Sequence, residues 1–269
     1  MQKENVITYF NQPLEKYESL TQDFLRPELY DILQQAKLIQ RFEGLGLSLE
    51  SIQGETVKTH TLRLMFGIDE LPISEEIKNS CRKTLVIHDL PEVKKLIETN
   101  KTADTTAPEK ALRVDLDEEI EKSEKKIALK IFNDKELKLY LDFSNANNFL
   151  KNRRQKPPTT VGLICKFLDK IDGDLHYHTA AIASRDNWKE LNAKGQNLAF
   201  EQYISFSQKL DLLKDTKLSD TTILCQNLLN STMLTIQEMW NEVPPNEIPP
   251  IIKKCSDNFK IHTNKNPLR

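Results

Sequence analysis

Residues 74–97 read SEEIKNSCRKTLVIHDLPEVKKLI, and this stretch decides the fold class. Ile77, Cys81, Leu85 and His88 recur at spacings of four, four and three, one stripe of a 3.6-residue period, with charge on the other faces. That is the pattern of an amphipathic helix. Ser74 ahead of Glu75 and Glu76 has the chemistry of an N-cap, its hydroxyl accepting from the first free amides. The stripe runs straight into the adjacent pair His88 and Asp89. Pro91 follows, a residue without an amide hydrogen that ends or kinks a helix.

The same period recurs on either side. In residues 28–41 (ELYDILQQAKLIQR), Leu29, Ile32, Leu33, Ala36 and Ile39 predict a helix that ends before Gly44 and Gly46, and residues 58–68 (KTHTLRLMFGI) predict another. Residues 99–107 (TNKTADTTA) read as a polar loop. The dense alternating charge from Pro108 to Phe132, above Leu112, Leu116, Ile120, Ile127 and Ile131, reads as a solvated helix. The run NANNFLKNRRQKPP interrupts the period before a strong helix signal from Thr160 to about Tyr177. Further helices are expected at 186–214 and 219–241, ahead of the proline doublets Pro244-Pro245 and Pro249-Pro250 and a polar tail. There is no series of strands and no internal repeat, and the 7 glycines are too scattered for repeated hairpins or a phosphate-cradling loop. The expected class is all-α.

A chain of 269 residues, 38% of them hydrophobic, can furnish a buried core, which excludes collagen-like, disulfide-scaffold and wholly disordered readings. Its 38 basic residues against 40 acidic ones create no field that would draw nucleic acid or an anionic membrane, so any anion must be bound by a local site. The opening MQKENVITYF lacks the apolar core of a signal peptide, and no stretch reaches the roughly twenty apolar residues of a membrane span. A cytoplasmic location is expected. Cys81, Cys165, Cys225 and Cys255 form no CxxC pair, so reduced, buried thiols are expected rather than a zinc ribbon.

The chemistry-bearing residues fall on separate helices: His60 on one, His88 and Asp89 on a second, and Asp169 on a third that reads VGLICKFLDKID. Imidazole nitrogen and carboxylate oxygen together suit a borderline or hard divalent cation, and helical bundles build internal metal sites from facing helices. The competing reading is a hydrogen-bonded core histidine and a chance pair. Lys166 and Asp169, three residues apart, also make an intrahelical ion pair. Asp172, a turn beyond, reads as a carboxylate supporting a ligand or as a solvated one. His176 and His178 alternate, so a helix splays them, and they are left outside the site. Trp188 and Trp240, amid aliphatic residues at helical spacing, read as core or interface anchors. Lys151, Arg153, Arg154 and Lys156 read as a basic turn.

The run KLIQRFEGLGLSLESIQGETVKTHTLRLM, continued by TLVIHDLPEV and VGLICKFLDKID, resembles the HD-domain metal-dependent phosphohydrolases, most of all their 5'-deoxynucleotidase branch. Arg41 and Phe42 match the Arg and following aromatic residue after the first helix. Glu55, Val57 and His60 match the approach to the first metal histidine, Arg63 matches an Arg one turn later in some members, and His88, Asp89 and Glu92 match the HD pair with its Glu. Lys166 and Asp169 match the last metal ligand. The chain departs from the pattern where Thr59 stands for the usual Glu before the first His, and where Leu96 and Ile97 stand for a Gly-Asp. The resemblance, which covers about residues 30 to 180, implies an HD-type helical bundle over 28–180; the rest of the chain reads as a 1–27 N-terminal segment and a 181–269 helical extension packed on the bundle, with a polar tail.

By that resemblance His60, His88, Asp89 and Asp169 hold one divalent ion (Mn, Co, Ni, Mg, Fe or Zn), which lowers the pKa of water for attack on phosphorus and neutralises a phosphate oxygen. Glu92, with Asp89, is the catalytic pair, Glu92 shuttling a proton to the leaving alkoxide. Arg41, Lys166, Arg63 and Phe42 are the substrate-binding candidates, Arg63 either touching substrate or orienting Asp169. The implied activity is phosphomonoester hydrolysis of a (deoxy)nucleoside monophosphate or another small phosphate ester. Phosphodiester or pyrophosphate cleavage, and a catalytically silent helical module binding a nucleotide or protein, are the alternatives. No membrane or nucleic-acid partner is expected, and a homodimer is compatible with the sequence.

Overall fold

The computed structural model describes residues 14–41, 55–100, 116–151, 156–183, 204–248 and Lys253. Among them the chain is all-α, as the period implied. The helices are α1 (Glu15–Phe24), α2 (Pro27–Gln35), α3 (Val57–Asp69), α4 (Glu75–Ile87), α5 (Leu90–Glu98), α6 (Leu116–Ile131), α7 (Asp134–Leu150), α8 (Thr160–Ala183) and α9 (Ser219–Asn241), with residues 204–211 also helical. None of the described helices is long and apolar enough to cross a membrane. Phe42, Gly44 and Gly46, residues 101–115, Arg153 and Arg154, residues 186–203 with Trp188, and Cys255 lie outside the described residues.

Three boundaries differ from the expected ones, each for a local reason. The 28–41 helix ends at Gln35, tightens into a 3-10 turn at Ala36–Leu38 and then runs extended. There Gln40 forms an isolated antiparallel bridge with Thr56, Arg41 N–H donating to the Glu55 carbonyl at 2.9 Å and Val57 N–H to that of Ile39 at 3.1 Å. The expected single helix over 74–97 is two: α4 stops at Ile87 and α5 starts at Leu90 with Pro91 in its first turn, where a missing N–H costs nothing. The NANNFL stretch does not interrupt α7, which continues to Leu150; Asn133 and Glu136 cap its start reciprocally.

α8 is the central helix, packing against α3, α4, α7 and α9. One apolar cluster joins Leu64 and Ile68 of α3, Cys81 and Leu85 of α4, Leu163 and Leu175 of α8, and Met233, Ile236 and Trp240 of α9. A second joins Tyr17 of α1, Leu29 and Leu33 of α2, Val57 and Met65 of α3, and Val93 of α5. The N-terminal segment thus contributes α1 to the core, and α9 shares its core with α4 and α8. α3 lies between the clusters and is buried nearly all round. Cys81, Cys165 and Cys225 are buried free thiols, as expected. Trp240 is likewise core, its indole N–H donating to His178 Nδ1 at 3.0 Å.

α8 lies close against α7 at Gly162, where an added Cβ would stand 2.5 Å from the Asp142 carbonyl oxygen. Backbone cannot swing away as a side chain tip can. Gly162→Ala is therefore expected to destabilise the fold by about 1–3 kcal/mol, although alanine is the better helix former. Urea unfolding of the two proteins measures it; an unchanged or higher midpoint would contradict the close approach.

Candidate metal centre

The capping box at the start of α3 sets the first position. Thr56 Oγ1 accepts from Thr59 N–H at 3.2 Å, and Thr59 Oγ1 accepts from Thr56 N–H at 2.8 Å. The residue that departs from the family pattern therefore has a task here: Thr59 holds the helix start one residue before His60. The second position is the break between α4 and α5, where His88 closes one helix and Asp89 precedes the next. The third is a polar stripe on α8, formed by Lys166, Asp169, Asp172 and His176 at spacings of three, three and four.

These elements bring all four expected ligands together. His60 Nε2 lies 3.2 Å from Asp169 Oδ1 and 3.8 Å from Asp89 Oδ2; His88 Nε2 lies 3.1 Å from Asp89 Oδ2 and 3.9 Å from Asp169 Oδ1. Both Nε2 atoms are buried, and neither has a geometrically sound hydrogen-bond partner. His88 Nδ1 is 2.6 Å from the Leu85 carbonyl, which only accepts, so Nδ1 carries the proton. With Nδ1 so engaged, Nε2 is the His88 nitrogen left facing the carboxylate oxygens and the one that could ligate a cation. Two donors each about 2.1 Å from one ion stand roughly 3.0–3.4 Å apart, which the two short pairs match. His60, His88 and Asp169 make a group, buried at both histidines, that could hold a metal ion, and Asp89 lies beside it with Oδ2 3.1 Å from His88 Nε2.

Phe143 of α7 backs this group, its ring edge-on to His88 at 5.0 Å between centroids. Asp89 and Asp169 form the accessible side, at 24% and 17% side-chain exposure against none for His60. Burial opposes ionisation of Asp89, but His88 and His60 outweigh it and hold the carboxyl down at about 2. Asp169 is likewise driven well below the usual carboxylate range, burial being overcome chiefly by Lys166. Burial and the positive Arg41 disfavour a charged His60, yet Asp172 and Asp169 raise it above an ordinary imidazole. The pocket favours positive charge where the two Nε2 atoms meet.

Behind His60 lies a second polar layer. Arg63 grips two carboxylates at once: Nε and Nη2 donate to Asp172 at 2.6 and 2.9 Å, and Nη1 and Nη2 donate to Glu55 at 3.0 and 2.7 Å. Asp172 Oδ2 in turn faces His60 Nδ1 at 2.6 Å. Glu55, His60 and Asp172 could also surround an ion by distance alone, but the Arg63 guanidinium is already the cation of that trio. Burial works against a charged Asp172, and Arg63 with His60 more than offsets it, keeping the carboxyl well below its usual range.

Arg63 is 4% exposed and bound to Asp172 and Glu55, the contacts through which it reaches His60. Asp172 is fully buried, not solvated. Arg41 reaches the same layer from the extended segment, Nη1 lying 3.3 Å from Glu55 and 3.5 Å from Asp172, and Asp89 and Asp169 also attract it. Lys166 does form the intrahelical pair, 2.6 Å from Asp169 Oδ2, and also lies 5.1 Å from the centre of the Phe143 ring. Glu92 stands partly exposed in the first turn of α5; it and Asp89 are close enough to Tyr140 to help burial raise that phenol. The α8 helix splays the two histidines as expected, but only His178 stays outside the site; His176, expected outside it too, joins the polar layer. His178 meets Trp240, while His176 Nδ1 comes within 3.6 Å of Glu55.

Sequence reasoning missed the parts of Glu55, Phe143 and the Leu85 carbonyl. Glu55 carried a signal, eight residues before an arginine that needs a partner; the other two carried none. Against models of protein families, curated proteins and solved structures, the chain finds no match.

Proposed function

We propose that this protein is a metal-dependent phosphohydrolase acting on a small phosphate ester, a (deoxy)nucleoside monophosphate foremost. The observation that carries the reading is the pair of buried, unpartnered Nε2 atoms of His60 and His88 meeting Asp89 and Asp169. The family resemblance of the same four positions supports it, as does a fold in which they come from three helices. The donor set of two imidazoles and two carboxylates fits Mn, Co, Ni, Fe, Zn or Mg. When bound, a divalent ion supplies neutralisation of a phosphate oxygen and an acidified water.

The chain's own residues do the rest. Lys166, paired with Asp169, and Arg41, within electrostatic reach of Asp89 and Asp169, are the cations that bind the anionic phosphate. Phe143 excludes water behind His88. Glu92 takes a proton from the attacking water as its oxygen bonds to phosphorus, and returns one to the alkoxide oxygen as its bond to phosphorus breaks.

Metal analysis of the purified protein, followed by a phosphate-release screen over nucleotides with added manganese, cobalt, nickel or magnesium, tests the reading. Firmly bound metal without release from any phosphate ester would move it to a binding module. Glu92→Gln keeps shape and metal but cannot exchange a proton near neutral pH, so turnover is expected to fall by about a hundredfold or more at constant metal content. Loss of metal from this variant would reassign Glu92 as a ligand.

A further inference from the structure

The two nitrogens of His60 face different worlds. Nε2 meets the carboxylates of Asp169 and Asp89, while Nδ1 meets Asp172 at 2.6 Å. Which nitrogen carries the proton decides which one offers a lone pair to a cation. Nothing within the ring makes that choice. His88 has its choice made by a backbone carbonyl, but His60 depends on a carboxylate that could itself ligate an ion, since Glu55, His60 Nδ1 and Asp172 stand close enough to surround one.

Resting on the metal reading above, we infer that Arg63 is a positioning residue for metal binding: by filling the Glu55–Asp172 pair as a fixed monocation, it holds Asp172 as the acceptor for His60 Nδ1–H and directs Nε2 to the ion. The contacts suit this work. One edge of the guanidinium, Nε and Nη2, lies on Asp172, and the other, Nη1 and Nη2, lies on Glu55, so the fork is used on both sides. Arg41 Nη1 lies farther from the same carboxylates, at 3.3 and 3.5 Å. Arg63 is one turn beyond His60 on α3, so the residue that sorts the ring's nitrogens is carried by the helix that carries the ring. Its charge also occupies the place where a second divalent ion would otherwise compete for Nδ1.

The test titrates Mn2+ into metal-free wild type, Arg63→Gln and Arg63→Lys, following the free ion by its paramagnetic resonance, with melting curves on the same samples. It also reads the His60 tautomer in 15N-histidine spectra of wild type loaded with Zn2+. Arg63→Gln is expected to bind Mn2+ about 10–100-fold more weakly while folded, the usual penalty for losing a group that orients a ligand. Arg63→Lys, which keeps the charge without the fork, is expected to fall between. Wild-type His60 is expected to carry its proton on Nδ1. A folded Arg63→Gln that binds Mn2+ within about threefold of wild type, well inside that range, overturns the inference alone. So does a wild-type proton on Nε2, a measurement that stands even if the variants fail to fold. Absence of Mn2+ binding by wild type would instead bring down the metal reading, and this inference with it.

Discussion

On the proposed phosphohydrolase reading, Asp89→Ala is expected to abolish divalent-metal binding by the purified protein and to lower metal-dependent phosphate release by about a thousandfold or more. Asp89 Oδ2 lies 3.1 Å from His88 Nε2 and 3.8 Å from His60 Nε2, and among the described residues only Asp89 and Asp169 carry a carboxylate within 4 Å of both nitrogens. Without it a single anion, already shared with Lys166, is left to balance a doubly charged ion. The fold has little to lose, since the side chain is 24% exposed and lies in the break between α4 and α5. Metal analysis, melting temperature and phosphate release on one preparation separate the two consequences. Release that survives Asp89→Ala unchanged would place the chemistry elsewhere or in a contaminant.

Glu55→Ala is expected to cost the fold about 3–5 kcal/mol, the range for removing one partner of a buried ion pair. It leaves Arg63, 5% exposed in its side chain, without half of its acceptors, and takes a partner from Arg41 as well. For a chain of this size that is a fall in melting temperature of about 10 °C. The sign with pH follows. Burial raises the Glu55 carboxyl, but Arg63, His176 and Arg41 outweigh it, so the folded value lies below the unfolded one. Its contribution is complete above the unfolded value of about 4.3 and is lost as pH falls through the folded value. The gap between wild type and Glu55→Ala should therefore be full at neutral pH and narrow in acid. A gap that widens in acid would contradict the ionised Glu55–Arg63 pair.

Much of the architecture was legible because helical periodicity is local. The stripe Ile77, Cys81, Leu85, His88 and the cap at Ser74 appear where expected, Ile77 N–H donating to Ser74 Oγ at 3.4 Å, and α9 spans the expected 219–241. Boundaries failed where one residue competes with the period. Pro91 divides the 74–97 stretch, and the pairing of Gln40 with Thr56 pulls the end of the 28–41 stretch out of the helix. That pairing joins residues sixteen apart in sequence, which no window along a single helix reveals.

The site divides in the same way. By itself the sequence determined the all-α class, the donor chemistry of the candidates His60, His88, Asp89 and Asp169, and the Lys166–Asp169 spacing, because side-chain chemistry and helical pitch act within a few residues. Only the tertiary structure decided which atoms meet. It set Arg63 against both Glu55 and Asp172, buried Asp172 against His60 Nδ1, and brought the Leu85 carbonyl and the Phe143 ring to His88. The reason is physical. A charge taken out of water must find its counter-charge among whatever residues the packed helices bring within reach, and in this fold the partner of Arg63 at Asp172 is 109 positions away along the chain.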